Sequence, residues 1–138
     1  MITIILEENI LLENMKVIKY LKYSTNNFRN LYFGNVEYMD YLELVYSLLQ
    51  EFGFDKKKLN LKIKTLDIRD KWKLKLVETL LKGSEVLLIY KTLDYHEEEF
   101  LNFCNASLRQ IVEKYKLCVI TFTTKEKISN EMDHLINI

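Results

Sequence analysis

Between Glu85 and Thr123 the chain switches from one kind of hydrophobic order to another and back, which restricts its possible folds more than any other feature. Val86-Leu87-Leu88-Ile89-Tyr90 is an apolar run of strand length. From Glu97 to Tyr115 the residues Phe100, Phe103, Cys104, Ile111, Val112 and Tyr115 fall on one stripe at helical spacing, which predicts a single amphipathic helix. Leu117 to Thr123 is a second apolar run. A strand, a helix of this length and another strand make a right-handed βαβ unit, so the expected fold is α/β, with a small parallel sheet and flanking helices.

Three further segments fit around that unit. Ile2 to Leu6, apolar and β-branched, reads as a fully buried strand, and Lys125 to about His134 as a short closing helix. Asp40 with Glu43 makes a capping box for a helix that places Tyr41, Leu44, Val45, Leu48, Leu49 and Phe52 on one face and stops at Gly53. Asp67 to Lys82 predicts another helix, burying Leu74, Val77, Leu80 and Leu81 and ending at Gly83. The Asn-rich stretch from Ser24 to Asn35 reads as a loop.

At 138 residues, 49% of them hydrophobic, the chain fits one domain. A helical subdomain is expected at about 10–82, inserted into an α/β core of 1–9 and 83–138. No apolar run reaches the roughly 18 residues of a membrane span, and the N-terminus lacks the basic start of a secretory signal, so a cytoplasmic location is expected. Cys104 and Cys118 stand in apolar stretches without metal-ligand spacing, and both are expected to be buried. His96-Glu97-Glu98-Glu99 would diverge around a helix N-terminus, where the carboxylates suit the macrodipole better than a metal.

The net charge is zero but unevenly spread. Between Asp55 and Lys75 nine basic residues face three acidic ones, making Lys57, Lys58, Lys62 and Trp72 candidate contacts for a partner. No aromatic or glycine-rich nucleic-acid motif accompanies the lysines, so nucleic acid is not an expected partner.

In order and spacing, the second half resembles the ATP-binding-cassette (ABC) ATPases from their signature motif onward. Asp67-Ile68-Arg69-Asp70 stands at the signature, and Lys71 to Leu81 at its helix. EVLLIYKTLD, Glu85 to Asp94, resembles the Walker B strand and the turn into the D-loop. Val119 to Thr124 resembles the switch strand, and Glu131 to Ile136 the closing segment. Ile2 to Asn9 is similar to the strand entering the Q-loop, with Glu7 near its glutamine. The resemblance spans the chain but corresponds to only the later part of such a domain.

The resemblance also marks what is missing. No glycine-rich phosphate loop is present, and Gly34, Gly53 and Gly83 are scattered. The places of the magnesium-binding acid and the catalytic carboxylate fall to Tyr90 and Lys91, and that of the switch histidine to Thr124. The signature has lost its glycines. No catalysis and no cofactor are therefore expected.

The resemblance implies an accessory or regulatory subunit that docks on an ABC ATPase or transporter and meets the membrane only through that partner. The alternative is a free-standing homodimeric interaction or scaffold protein. A new enzymatic chemistry has no convergent acid, base or nucleophile in its favour. In the family's strand order, Ile2–Leu6, Val86–Tyr90 and Leu117–Thr123 would lie side by side. Leu117–Thr123 would then need cover from Leu135–Ile138 or from a second chain, and the dimer is the preferred expectation.

Overall fold

The computed structural model describes residues 2–6, 12–32, 38–90, 96–129 and 132–134. They divide into two compact units, one of residues 10–84 and the other of 2–9 with 85–138.

The second unit holds the sheet. Strands β1 (Ile2–Leu6), β2 (Val86–Tyr90) and β3 (Cys118–Phe122) are parallel, in the order β1-β2-β3. Helix α4 (Glu98–Tyr115) joins β2 to β3 and packs on β3, burying Phe100, Leu101, Cys104, Leu108 and Ile111. The small parallel sheet with flanking helices is thus the one expected from the apolar runs.

Alternation along each strand sorts the side chains into two faces. Ile5, Leu87 and Ile89 point to the buried face. In the opposite register, Ile2, Val86 and Cys118 form one row, Ile4, Leu88 and Ile120 the next, and Tyr90 and Phe122 share the last. Ile2 is 60% exposed, Ile4 51%, Tyr90 45%, Ile120 43% and Phe122 37%. This corrects two expectations. The first strand is buried on one face only, and Cys118 is exposed while Cys104 is buried. An apolar run is compatible with cover on both faces, but a crossover helix covers only the face it packs on.

The first unit is helical. Helix α1 (Val17–Tyr32) extends through most of the stretch expected as a loop. The Thr25 hydroxyl donates to the Leu21 carbonyl at 2.5 Å and is hydrogen-bonded to the Tyr41 hydroxyl. Buried polar contacts of this kind override the weak helix propensity of the asparagines. Helix α2 (Tyr38–Glu51) begins ahead of Asp40, which therefore lies inside the helix and not at the cap expected of it. Gly53 (φ 71°) ends α2: its N–H donates to the Gln50 carbonyl and the Phe54 N–H to the Leu49 carbonyl, a Schellman closure.

Two short 3-10 turns, Lys56–Asn60 and Ile63–Thr65, lead to helix α3 (Ile68–Leu81). Trp72, Leu74, Leu76, Val77 and Leu81 are all buried, so α3 is covered over more of its circumference than its predicted stripe, and Leu80 is only half-buried. It packs against α1 and α2. Residues 13–17 run along 61–64 through backbone bonds from Val17 to Leu61, Ile63 to Met15 and Lys64 to Glu13.

The closing helix, expected to reach His134, is the single turn α5 (Glu126–Ser129). Past it, Asp133 turns to Arg109 of α4, with Oδ1 2.8 Å from the guanidinium. Among the described residues β3 pairs with β2 alone, and Leu135–Ile138, expected as its cover, lie outside them.

Candidate functional site

Ligands of parallel α/β folds gather at the carboxyl ends of the strands, so the ends of β2 and β3 are the first place to look for chemistry. Tyr90 closes β2, stands beside Phe122 in register, and places its ring centroid 5.7 Å from that of Phe122. Thr124 follows β3 and is exposed. Tyr90 therefore sits where a ligand would be held, and with Phe122 it presents an aromatic pair. A hard cation prefers carboxylate oxygens to a phenol, so this arrangement does not suit magnesium. Lys91 and Glu7, the neighbouring sequence candidates, lie outside the described residues.

The signature-like residues belong to the other unit and have folding roles. Asp67 is the N-cap of α3, its Oδ1 accepting from the Asp70 N–H at 2.8 Å. Asp70 is only 4% exposed, with Lys58 Nζ 2.6 Å from its Oδ2 and Lys73 Nζ 3.7 Å from its Oδ1. The hydrogen bond to Asp70 raises the Lys58 pKa, a shift that burial opposes and the nearby carboxylates support. Ile68 and Arg69 are exposed on the same turn. With no glycine here, α3 opens as a capped, ion-paired helix start.

The lysine-rich segment is divided in its roles. Lys57 is exposed and gives its backbone N–H to the capping Asp55 at 2.9 Å. Lys62 is exposed and forms a backbone bridge with Lys16. Lys58, however, is engaged with Asp70, and Trp72 is buried at 6% exposure, so its ring is core and not a contact surface. Lysine-rich composition signals a solvated face, but the Lys58–Asp70 pairing spans two elements and has no local signature.

A second polar cluster also had no sequence signal. The Tyr20 hydroxyl donates to Glu78 Oε2 at 2.6 Å, Lys75 Nζ lies 3.2 Å from the same oxygen, and Lys82 Nζ is 2.8 Å from Oε1. Burial pushes the Glu78 pKa up, but the Lys75 charge and the hydrogen bonds from Lys82 and Tyr20 outweigh it and hold it below the ordinary value. Burial, then the Glu78 charge, drives the Tyr20 phenol upward. The cluster fastens α1 to α3. Four residues already bonded to one another make a structural lock and leave no free acid or base for catalysis.

His96 packs edge-on against Phe100 at 4.7 Å, and burial lowers its pKa. Glu97 is the N-cap of α4, with Glu98 and Glu99 in its first turn. Among the described residues no three His, Cys, Asp or Glu side chains are placed to hold a metal, and no helix is long and apolar enough to cross a membrane.

Solved structures share this fold. MJ0796, a bacterial ABC transporter cassette, matches in its dimeric structure with a TM-score of 0.65 at 11% identity, over 88% of this chain and 51% of that one. The same cassette in a post-hydrolysis state bound to ADP and Pi matches with a TM-score of 0.71 at 11% identity, over 94% and 55%. An inward-facing ABC transporter described as of the metal-chelate type matches with a TM-score of 0.67 at 10% identity, over 89% and 47%. The fold therefore resembles an ABC-ATPase domain, and the chain spans about half the length of the chains it matches. No protein-family model matches the sequence, and no curated protein does.

Proposed function

We propose that this chain is a non-catalytic protein of ABC-cassette fold, an accessory or regulatory subunit that docks on an ABC ATPase or transporter. Its location on this reading is cytoplasmic, with the membrane reached through that partner. The observation that carries the reading is the Tyr90–Phe122 pair at the carboxyl end of the sheet, where phosphoryl-transfer chemistry requires carboxylates and a metal. Asp67 and Asp70 support it, since both are committed to the start of α3.

Titration of ATP and magnesium into the 138-residue chain by calorimetry tests the proposal. The expected result is no binding heat. Micromolar binding that disappears in Arg69→Ala would overturn it.

A second reading, a homodimeric interaction protein, is favoured by β3, which has a strand neighbour on one side only among the described residues. Light scattering separates the two readings, since this one requires a dimeric mass for the chain alone.

A further inference from the structure

Residues 13–17 and 61–64 form a short antiparallel ribbon in the helical unit, and two lysines face each other across it. The Val17 N–H donates to the Leu61 carbonyl and the Ile63 N–H to the Met15 carbonyl, each at 3.0 Å, so Lys16 and Lys62 are the non-hydrogen-bonded pair between those bonds. In such a pair the Cα atoms stand about 4.5 Å apart and both side chains leave the same side of the ribbon. Like charges placed opposite each other there are destabilising.

Nothing nearby relieves the repulsion. Both lysines are exposed, and among the described residues neither has an acidic partner. Glu13, the one acid of the two segments, is turned to Lys71, with its Oε2 3.3 Å from that ammonium. Lys64 on the ribbon and Lys19 in the first turn of α1 are also exposed and without an ion pair among the described residues. Folding gains nothing from these four charges.

We propose that this ribbon is a contact surface for an anionic phospholipid bilayer, with Lys16, Lys19, Lys62 and Lys64 over the phosphates and Leu12 and Leu61 at the headgroup boundary. The inference goes beyond the accessory-subunit reading, in which a partner brings the chain to the membrane, by giving the helical unit a hold of its own. Leu12 is 40% exposed and Leu61 44%, and a surface that lies on a bilayer combines aliphatic side chains with lysines in this way.

Composition separates this occupant from the other anionic ones. Protein interfaces favour arginine and aromatic anchors and are poor in lysine, because fixed carboxylates reward a planar fork over a flexible ammonium. Single-stranded nucleic acid calls for aromatic faces on which its bases stack. Residues 12–19 and 61–64 contain neither arginine nor an aromatic residue. A fluid lipid surface responds to the number of positive charges close to it, which mobile ammonium groups supply.

Sedimentation of the 138-residue chain with vesicles tests the proposal, using phosphatidylcholine alone and an equimolar mixture with phosphatidylglycerol. The expected result is binding to the mixed vesicles only, weakening as salt is added. A lysine near anionic lipid is worth roughly fivefold in partitioning, so Lys62→Glu, which changes the charge by two, should lower binding about 25-fold. Lys125→Glu makes the same change of net charge at an exposed position of the other unit and should bind as the unaltered chain does. Lys62→Glu should also raise the melting temperature, because its carboxylate would face Lys16.

A chain that ignores the mixed vesicles would overturn the proposal, as would equal losses in Lys62→Glu and Lys125→Glu. A lower melting temperature of Lys62→Glu would do the same, since the lysine would then serve the fold. Polyglutamate or polyuridylate that strips the chain from the vesicles at equal charge would replace the bilayer with an acidic peptide or an RNA.

Discussion

Lys58 holds its ammonium 2.6 Å from the carboxylate of Asp70, twelve residues away, and so fastens the Lys56–Asn60 turn to the first turn of α3. Asp70 is buried, whereas the Lys58 side chain keeps 37% of its surface exposed, so solvent screens part of the attraction. Lys58→Ala leaves the buried carboxylate with only the more distant Lys73 and should cost about 1–2 kcal/mol in urea unfolding. Lys57→Ala, on the same segment, should change stability by less than about 0.5 kcal/mol. Reversal of Lys57, Lys58 and Lys62 together is therefore expected to destabilise the protein, through Lys58.

The Tyr20–Glu78 lock makes stability depend on pH at both ends. The Glu78 pKa is held below its ordinary 4.5, so its contribution is complete above that value and is lost as pH falls through the lowered one. The Tyr20 pKa is raised above 10.0, so its contribution is complete below that value and is lost as pH rises beyond it. Tyr20→Phe should cost about 1–2 kcal/mol at neutral pH. Glu78→Gln should flatten the acid limb of a plot of urea midpoint against pH, and an unchanged limb would remove Glu78 from the account.

The two thiols should react at different rates. Cys118 is exposed on the sheet and Cys104 is buried in α4. Iodoacetamide is expected to modify one thiol in the native chain, mapped to Cys118 by mass spectrometry, and the second only after denaturation. Rapid modification of both would contradict the packing of α4 on the sheet.

Lys116 caps α4 with φ 57° and ψ 32°, a left-handed conformation that strains a residue with a Cβ. Lys116→Gly should raise stability by roughly 0.5–1 kcal/mol, since glycine adopts that conformation freely and the gain is reduced by the greater freedom of the unfolded chain. Thermal melts of the two proteins measure it. A lower melting temperature would mean that the lysine side chain makes a compensating contact.

The elements whose order repeats within a few residues were legible from the sequence. Val86–Tyr90 and the helical spacing of α4 depend on local periodicity, although Leu101 and Leu108 are buried where Phe103, Val112 and Tyr115 were expected, and the parallel pairing of β2 with β3 agrees with the strand–helix–strand order. The place of Tyr90 at the end of β2 was also legible, because the apolar run stops there. The loop expected at Ser24–Asn35 was not, because Thr25 and Tyr41 bond to each other only after α1 and α2 have packed.

The same reason explains Lys58 and Trp72, which look like surface candidates in a lysine-rich stretch and are occupied by a buried carboxylate and by the core. It also explains Ile4 and Ile120. An apolar strand states that both its faces can be buried, but which face receives cover depends on where α4 crosses, and that is settled by tertiary packing.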